Sequence, residues 1–367
     1  TGVATAIVSG GPGAVFWMWI SAVLGMMTNY AENYLGITYR YKDEKGQWVG
    51  GAMVYIEKGL GCKWLAVVFS FCCIGASFGM GNMVQGNSMA NGLKNVFQIP
   101  VFFTAIASAV VVAYVLNGGM KRIAVCTEKL VPLMAGIYLI TACGILIVCR
   151  QRVGWAFLEI IKNAFTPRAA CAGVGGYQLK TVIQTGISRG VFSNEAGLGS
   201  SVIAHVQSDV KKPEIQGMWG IAEIFVDTIL VCTVTALVLL VSGVYRPEIC
   251  IQNFSTGIEN IDGTTLMARA FGSVIPFGEE LLVLSTVLFA LATMIGWSCL
   301  GERTAVYLGK EKGTKIYKWL YVAVAFLGCI LAPALIWELS DTLNGLMAIP
   351  NLLALFLLRK EVQYPKE

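Results

Sequence analysis

Of the 367 residues, 56% are hydrophobic and 13% are charged, and the formal net charge is +5. Soluble domains carry about 25% charged residues, so this composition excludes a soluble globular domain and indicates a polytopic membrane protein. The lysines and arginines lie mainly between apolar stretches, which indicates membrane topology rather than nucleic-acid binding. The eleven cysteines form no CxxC pair, and the single histidine, His205, excludes a histidine-rich metal site.

Membrane spans are predicted from apolar length, because a helix needs about 20 apolar residues to cross a bilayer. We predict nine full spans and one N-terminal remnant. In chain order these are Thr1–Ser9 (the remnant), Ala14–Thr38, Trp64–Met89, Val101–Leu116, Ile123–Val148, Gly175–Val206 (interrupted), Gly217–Val244, Glu279–Leu300, Tyr317–Ala332 and Ala334–Leu358. The chain starts inside an apolar run without a signal-peptide pattern, so we expect an N-terminal truncation.

Basic residues predict which loops are cytoplasmic. Arg40, Lys42, Lys45, Lys58 and Lys63 all lie between the second and third segments, which assigns that loop to the inside. Alternation assigns most of the other basic loops to the same side. Residues 150–168 are the exception, because they are basic yet predicted to be outside. Their apolar residues recur at helical spacing, which predicts an interfacial amphipathic helix.

An internal repeat organises the chain. The segment Thr1–Ile7 matches Ala196–Val202 in its order of small, glycine, apolar and hydroxyl residues. The two copies lie five spans apart and run in opposite directions, which predicts a five-plus-five inverted repeat with broken first and sixth helices near the midplane. We therefore divide the chain into a first repeat (1–150), an outer amphipathic connector (151–172), a second repeat (173–358) and a cytoplasmic tail (359–367).

The stretch Gln184–Val206 carries charged, polar and glycine residues inside a predicted span. Irregular backbone at membrane depth must face protein or a watery cavity, and an ionisable residue there indicates a functional site. We predict that the break lies at Phe192–Glu195, between two half-helices that form half of a binding site. An ordinary loop at the membrane surface is the alternative.

Polar residues in other spans extend the candidate site. Asn82, Gln85 and Ser88 recur at helical spacing in the third span, and Gln85 is the candidate ligand among them because an amide can meet both ends of a zwitterion. Thr293 and Trp297 share a face of the eighth span. Interhelical hydrogen bonds and a bond from Thr293 to its own helix are the structural alternatives.

Three further polar residues lie deep in predicted spans. Glu32 needs a partner, for which Lys129, Arg189 or Arg303 are the candidates, and we favour a structural ion pair. Asp341 and Asn344 lie in the last span beside Gly345 and Pro350. A kinked gating helix and a structural kink are equally compatible with that pattern.

Five motifs in this order closely resemble the alanine/glycine:cation symporter family: GGPGAVFWMW, FGMGNMVQGNS, GVFSNEAGLGS, IGWSCLGER and LNGLMAIPNLLAL. The resemblance covers essentially the whole chain. It implies an all-α polytopic membrane protein with the leucine-transporter-type fold, in the cell (inner) membrane. It also implies that the first part of the first broken helix precedes Thr1.

The resemblance also implies site residues. Gln85, Phe192, Ser193, Asn194, Thr293 and Trp297 match substrate-site positions; Thr293 alternatively faces sodium, with Thr5 as a second sodium-binding residue, and Glu195, Asp341 and Asn344 are expected to be gating or structural. The chain departs from the family pattern at Ala292 and at Cys299–Leu300, where Thr and Tyr are common. The departure at Ala292 bears on the expected ion coordination.

The expected function is sodium-coupled import of alanine or glycine by alternating access, with Na⁺ as the coupling ion, no other cofactor and the oligomeric state left open. Proton coupling is the alternative, because Glu32, Glu195 and Asp341 lie within spans. A remote alternative is an intramembrane enzyme using Ser193 or Cys299, which lacks a nearby base. We therefore expect no catalytic residues. An inert fragment is a further alternative.

Overall fold

The computed structural model describes residues 2–43, 46–165, 175–245 and 263–364. Apart from one two-stranded hairpin, the regular structure in these ranges is helical. The elements are α1 (Gly2–Gly10), α2 (Gly13–Tyr39), β1 (Tyr41–Lys42), β2 (Trp48–Val49), α3 (Ala52–Leu60), α4 (Lys63–Phe78), α5 (Val84–Phe97), α6 (Val101–Asn117), α7 (Gly119–Val148), α8 (Arg150–Phe165), α9 (Gly175–Asn194), α10 (Ser201–His205), α11 (Pro213–Ile224), α12 (Thr233–Val241), α13 (Gly263–Gly272), α14 (Gly278–Ile330) and α15 (Pro333–Leu358). Two π-helical segments, Gly79–Met83 and Phe225–Cys232, join α4 to α5 and α11 to α12.

Six helical segments in the described ranges are long and apolar enough to cross a membrane. They are Gly13–Tyr39, Lys63–Phe97, Val125–Val148, Pro213–Val241, Gly278–Gly309 and Pro333–Leu358. The prediction of an all-α, multi-pass membrane protein is thereby confirmed. Six of the nine predicted spans coincide with these segments. Of the other three, α6 has 17 residues, and α9 and the second half of α14 are helical without meeting the same criteria of length and hydropathy.

The 53-residue helix α14 doubles back on itself. The Tyr321 hydroxyl donates to the Met294 carbonyl over 2.7 Å although the two residues are 27 positions apart, a separation of about 40 Å in a straight helix. Lys318 likewise pairs with Glu302 at 3.0 Å. Gly313 lies in the bend, where an added Cβ would come within 2.7 Å of the Ala305 carbonyl oxygen. The predicted eighth and ninth spans are thus two antiparallel arms.

The π-helical segment Gly79–Met83 changes the faces of the third span. Where a π-helical turn returns to α-helix, one backbone carbonyl is left without its usual helical N–H partner. In this segment the Gln85 side-chain amide donates to the Met80 carbonyl over 3.2 Å. Asn82 donates instead to the Tyr321 carbonyl of α14 over 2.8 Å. The predicted common face of Asn82 and Gln85 is therefore wrong, because the wider turn rotates Asn82 toward α14.

The predicted cytoplasmic loops lie together at one end of the bundle. Arg303 donates to the Gln47 side chain over 3.1 Å, and Lys318 donates to the Leu116 carbonyl over 3.3 Å. Arg40 donates to the carbonyls that follow α10, at Val206 (2.8 Å) and Ser208 (2.6 Å). Burial lowers the pKa of the Arg40 guanidinium, and nearby Asp209 opposes this shift. We call this end inner, following the Lys/Arg distribution.

The amphipathic helix α8 lies at the opposite, outer end. Its predicted apolar residues, Trp155, Leu158, Ile161 and Phe165, are all exposed. Ala156, Ile160 and Ala164 are buried instead, and the Trp17 indole donates to the Ala164 carbonyl over 3.1 Å. One face of α8, with Ala156, Ile160 and Ala164, thus packs on the protein while the four exposed apolar side chains face outward, as in a helix at a lipid interface. Residues 166–172 of the predicted connector lie outside the described ranges.

Candidate functional site

The helix break predicted in the sixth span is present, but it lies slightly later in the chain. Helix α9 continues through Asn194, and α10 begins at Ser201. Between them Glu195, Gly197 and Gly199 have φ angles of 58°, 85° and 74°, a left-handed backbone that glycine adopts without steric cost. Phe192, Ser193 and Asn194 therefore form the last turn of α9, so the predicted position was wrong by a few residues.

The break lies inside the protein. Ser200 is fully buried and Asn194 is 5% exposed. The Asn194 side-chain oxygen accepts the Ala196 backbone N–H over 3.1 Å, which closes the turn that ends α9. The alternative of an ordinary surface loop is therefore wrong, because a surface loop leaves its backbone to water.

A buried polar network behind the break fixes its shape. Glu32 Oε1 accepts from the Gly199 N–H over 3.2 Å and from the Asn351 amide over 2.5 Å. The same Asn351 amide donates to the Gly197 carbonyl over 2.9 Å, and Tyr55 donates to the Asn351 side-chain oxygen. Glu32 and Asn351 are both 0% exposed. Two helices of the first half and α15 thus hold the break through side chains.

The expected ion pair of Glu32 is wrong. Among the described residues its hydrogen-bond partners are neutral amides, while Arg189 pairs with Asp341 and Arg303 bonds Gln47. Glu32 Oε2 is buried and has no hydrogen-bond partner within the described ranges. The sequence shows that Glu32 is deep in a span, but only the packing of α15 brings Asn351 to it.

An outer cavity of ≈ 330 Å³ lies on the outer side of the break. Five of the six predicted substrate-site residues line it: Gln85, Phe192, Ser193, Thr293 and Trp297. Glu195 also lines it, as do Tyr138, Asp227, Cys232, Thr235 and Trp337, which were not predicted as site residues. Gly2 and Val3 of α1 border the same cavity. The start of α1 and the sixth-span break therefore meet at one site, while Thr1 lies outside the described residues.

An inner cavity of ≈ 410 Å³ lies on the other side of the break. It is lined by Ser193, Asn194, Glu195, Ser201, Ala204, His205, Glu223, Asp227, Thr293, Gly296, Trp297 and Leu300. Five residues are common to both cavities: Ser193, Glu195, Asp227, Thr293 and Trp297. These five side chains form the partition between the two cavities.

Carboxylates are the charged groups of the partition, and among the described residues no lysine or arginine lines either cavity. Asp227 Oδ2 accepts from the Ser193 hydroxyl over 2.7 Å and from the Thr228 hydroxyl over 2.9 Å. Glu195 Oε2 accepts from Ser200 over 2.6 Å, and its Oε1 accepts from the Trp297 indole over 3.0 Å. A cavity with this lining favours cations over anions.

Thr293 presents a free hydroxyl at the partition. The expected alternative was a bond to the carbonyl one turn earlier, as Thr286 and Thr304 make to Leu282 and Leu300. Within the described part of the chain the Thr293 hydroxyl makes no such bond, and Thr293 borders both cavities. It is therefore available to a ligand.

Thr5 occupies a different place. Its hydroxyl lies against α13, where a Cβ added to Gly263 would come within 2.9 Å of Thr5 Oγ1. Thr5 is not among the residues that line either cavity. The structure therefore does not bring Thr5 and Thr293 together at the partition.

Asp227 is the main acidic residue that sequence analysis missed. It lies in the π-helical segment Phe225–Cys232, within the apolar run IFVDTILV. A lone aspartate in a span is itself a signal of function, so the residue was detectable. Its hydrogen bond with Ser193 was not predictable, because the two residues are 34 positions apart.

An ion pair and an aromatic pair lie at the outer side of the partition. Arg189 donates to Asp341, and its guanidinium lies 4.4 Å from the Trp337 ring centroid. The Phe192 and Trp337 ring centroids are 4.9 Å apart, and both rings line the outer cavity. Asn344, one turn further along α15, donates to the Met80 sulfur over 3.1 Å. Asp341 thus joins α15 to α9, whereas Asn344 packs against the third span.

The side chains considered for the enzyme alternative do not form a Ser–His pair. The Ser193 hydroxyl donates to the Asp227 carboxylate, whereas His205 contacts Glu223 and Gln216. Ser193 and His205 are therefore not arranged as nucleophile and base. No cluster of three or more metal-binding side chains occurs in the described ranges.

Comparison with known proteins identifies the family. The family model described as "Sodium:alanine symporter family" matches residues 1–365. The chain is 41% identical to the sodium/alanine symporter AgcS of Methanococcus maripaludis, over 97% of the chain and 77% of that protein. It is 42% identical to an uncharacterized transporter of Haemophilus influenzae, over 98% and 77% of the two chains, and 33% identical to the amino-acid carrier protein AlsT of Bacillus subtilis, over 98% and 74%.

Among solved structures, a manganese transporter of Eremococcus coleocola, determined in complex with an aromatic bis-isothiourea substituted compound, has a similar fold. The TM-score is 0.55 at 15% identity, and the match covers 96% of this chain and 72% of that chain. At this identity the likeness concerns the fold alone. The family match, over residues 1–365, shows a transporter rather than an enzyme. The chain is a multi-pass membrane protein of the cell membrane and belongs to the sodium:alanine symporter family, whose members are cation-coupled amino-acid symporters.

Proposed function

We propose that this protein imports alanine or glycine together with Na⁺ by alternating access. The observation that carries the proposal is the partition of five side chains shared by an outer and an inner cavity. A ligand at the partition borders both cavities. Movement of one half of the bundle against the other therefore changes whether that ligand is accessible from the outer or from the inner side.

The chemistry of the partition supports a cation such as Na⁺. Hard cations prefer oxygen ligands, and Ser193, Asp227 and Thr293 offer hydroxyl and carboxylate oxygens, with no lysine or arginine among the described residues of either lining. We propose these three as sodium-binding residues. Thr5 stays a sequence-based candidate whose hydroxyl lies against α13.

The outer cavity supports a small zwitterion as the co-transported molecule. Gln85 uses one of its two amide N–H groups on Met80, and its side-chain oxygen can accept from a substrate ammonium. The Phe192 and Trp297 rings and Tyr138 border the same cavity and limit the side chain that fits. The bound cation balances the substrate carboxylate.

The outer gate in this proposal is the Arg189–Asp341 ion pair with the Phe192–Trp337 ring pair. All four side chains come from α9 and α15. Separating the two helices breaks both pairs at once and opens the outer cavity. Glu195 keeps a structural role, because it ties the break to Trp297.

Uptake into liposomes tests the proposal. Labelled alanine is expected to accumulate only with an inward Na⁺ gradient, and Thr293→Ala is expected to raise the Na⁺ concentration needed for uptake. Thr293→Ser is the matched control, because it keeps the hydroxyl. Gln85→Ala is expected to weaken alanine binding. Uptake that ignores Na⁺, or no alanine uptake at all, contradicts the proposal.

Proton coupling is the second candidate, and Glu32 favours it. Its Oε2 is buried without a hydrogen-bond partner in the described structure, and an unpaired charge there costs several kcal/mol or more. A bound proton removes that cost. Alanine uptake driven by a pH gradient in Na⁺-free buffer, and lost in Glu32→Gln, would favour this candidate over sodium.

A further inference from the structure

His205 lines the inner cavity, and the proposed transport cycle assigns it no role. It is the last residue of α10, the inner arm of the broken helix, and its side chain is 15% exposed. Histidine is the side chain whose charge ordinarily changes between about pH 5 and 8. Its position therefore connects the cytoplasmic side to the break.

Both ring nitrogens of His205 have partners. Nε2 lies 2.9 Å from Glu223 Oε2, and Nδ1 lies 2.5 Å from the Gln216 side-chain nitrogen. In this arrangement Gln216 donates to the ring and the ring donates to Glu223, which suits a neutral imidazole. If the ring is protonated, a flip of the Gln216 side-chain amide exchanges its oxygen and nitrogen and places the oxygen against the Nδ1–H of the imidazolium. The amide nitrogen then meets Ser208 Oγ, now 2.9 Å from Gln216 Oε1. The same partners thus accommodate both charge states.

Glu223 joins three helices at one carboxylate oxygen. Its Oε2 contacts His205 of α10 and also accepts from the Asn29 amide of α2 over 3.3 Å. The Asn29 oxygen in turn accepts from the Ser201 hydroxyl, at the start of α10, over 3.0 Å. Both ends of α10 are therefore tied to α2 and α11 beside the inner cavity.

The other charged groups around α10 have their own partners or lie further along the chain. Glu32 bonds Asn351, Glu195 bonds Trp297, and Asp227 bonds Ser193. Arg40 and Arg303, at the inner ends of α2 and α14, bond carbonyls after α10 and the Gln47 side chain. Asp209, Lys211, Lys212 and Glu214 follow α10 in the chain. Glu223 is the acidic group in contact with His205.

We propose that His205 is a cytoplasmic proton-binding site that latches the inner cavity. A proton on the ring converts its hydrogen bond with Glu223 into an ion pair, which holds α10 against α11 and slows inner opening. Loss of the proton leaves the weaker neutral bond. An acidic cytoplasm thus slows release of the transported molecules. The effect on uptake rests on the proposed function, whereas the latch itself is a property of the folded chain.

Hydrogen exchange tests the latch without transport. Wild type and His205→Gln are compared at each of two pH values, about 6 and 8, which bracket ordinary histidine titration. Comparison at equal pH cancels the intrinsic pH dependence of exchange. At the lower pH the segment 201–208 of the variant is expected to exchange about two- to fivefold faster than wild type, as for a partly exposed ion pair. At the higher pH the difference is expected to vanish, and Glu223→Gln is expected to match His205→Gln. The segment 84–97 is the internal control.

Uptake with a fixed outer pH and a variable inner pH tests the consequence. Uptake by wild type is expected to slow about two- to fivefold when the inner pH falls, as for the exchange difference. Uptake by His205→Gln is expected to lose that dependence on inner pH. An exchange difference that is the same at both pH values overturns the latch, as does wild-type uptake that ignores the inner pH. No uptake by either protein, with the pH-dependent exchange difference intact, overturns the proposed transport function and leaves the latch standing.

Discussion

Gly199→Ala is predicted to destabilise the break and the network behind it. The residue has φ of 74°, and an added Cβ would lie 2.8 Å from Ala52 Cβ and 2.9 Å from the Asn351 side-chain oxygen. Left-handed backbone costs an alanine roughly 1–2 kcal/mol. Displacing Asn351 leaves buried groups of Glu32 and Gly197 unsatisfied, which costs about 1–3 kcal/mol more. The total is about 2–5 kcal/mol.

Thermal unfolding of the purified protein in detergent measures this effect. At about 2–4 °C per kcal/mol for a large domain, the apparent Tm is expected to fall by roughly 4–20 °C. Gly345→Ala is the matched control, because Gly345 is helical and its added Cβ would lie within 4 Å of no atom in the described part of the chain. That change is expected to leave the Tm unchanged or raise it slightly, since alanine favours helix. If the two variants melt at the same temperature, the strain and packing assigned to Gly199 are wrong.

Three other predictions concern single contacts. Asp227→Asn keeps an acceptor for Ser193 but removes one of the two partition carboxylates. Half-maximal uptake is therefore expected to need about tenfold more Na⁺, a loss of about 1.4 kcal/mol. An unchanged Na⁺ requirement contradicts the sodium site. Arg189→Gln removes the outer ion pair, so a thiol reagent added outside is expected to label Cys232 in the outer cavity faster; equal labelling contradicts the gate. Tyr321→Phe removes the hydroxyl between the two arms of α14, and the unfolding free energy is expected to fall by about 1 kcal/mol; an unaltered Tm contradicts that role.

Much of the site was predictable because its residues are polar in apolar segments. Gln85, Ser193, Thr293 and Trp297 stand out in this way, and all four line the outer cavity. Asp227 carried the same signal and was overlooked. The predicted position of the break differs from the observed one because glycine spacing does not specify which residues adopt left-handed backbone. Glu195 adopts it although it is not a glycine.

Partners distant in the chain were not predictable in the same way. The Glu32–Asn351 contact joins residues 319 positions apart, and hydropathy carries no information about which helices are neighbours. The cation expected beside Glu32 followed from the cost of burying a charge. In the structure two amide donors, rather than a cation, stabilise one carboxylate oxygen of Glu32.

The sequence by itself determined that the chain is a helical membrane bundle, because apolar length and charge placement follow from the cost of backbone and charge in lipid. It also determined that the sixth span is broken. Only the tertiary structure decided which side chains form the partition, since Ser193, Asp227 and Thr293 come from three separate helical segments. Their convergence depends on how those segments pack together. The hydrophobic periodicity and hydropathy of the sequence do not specify that packing.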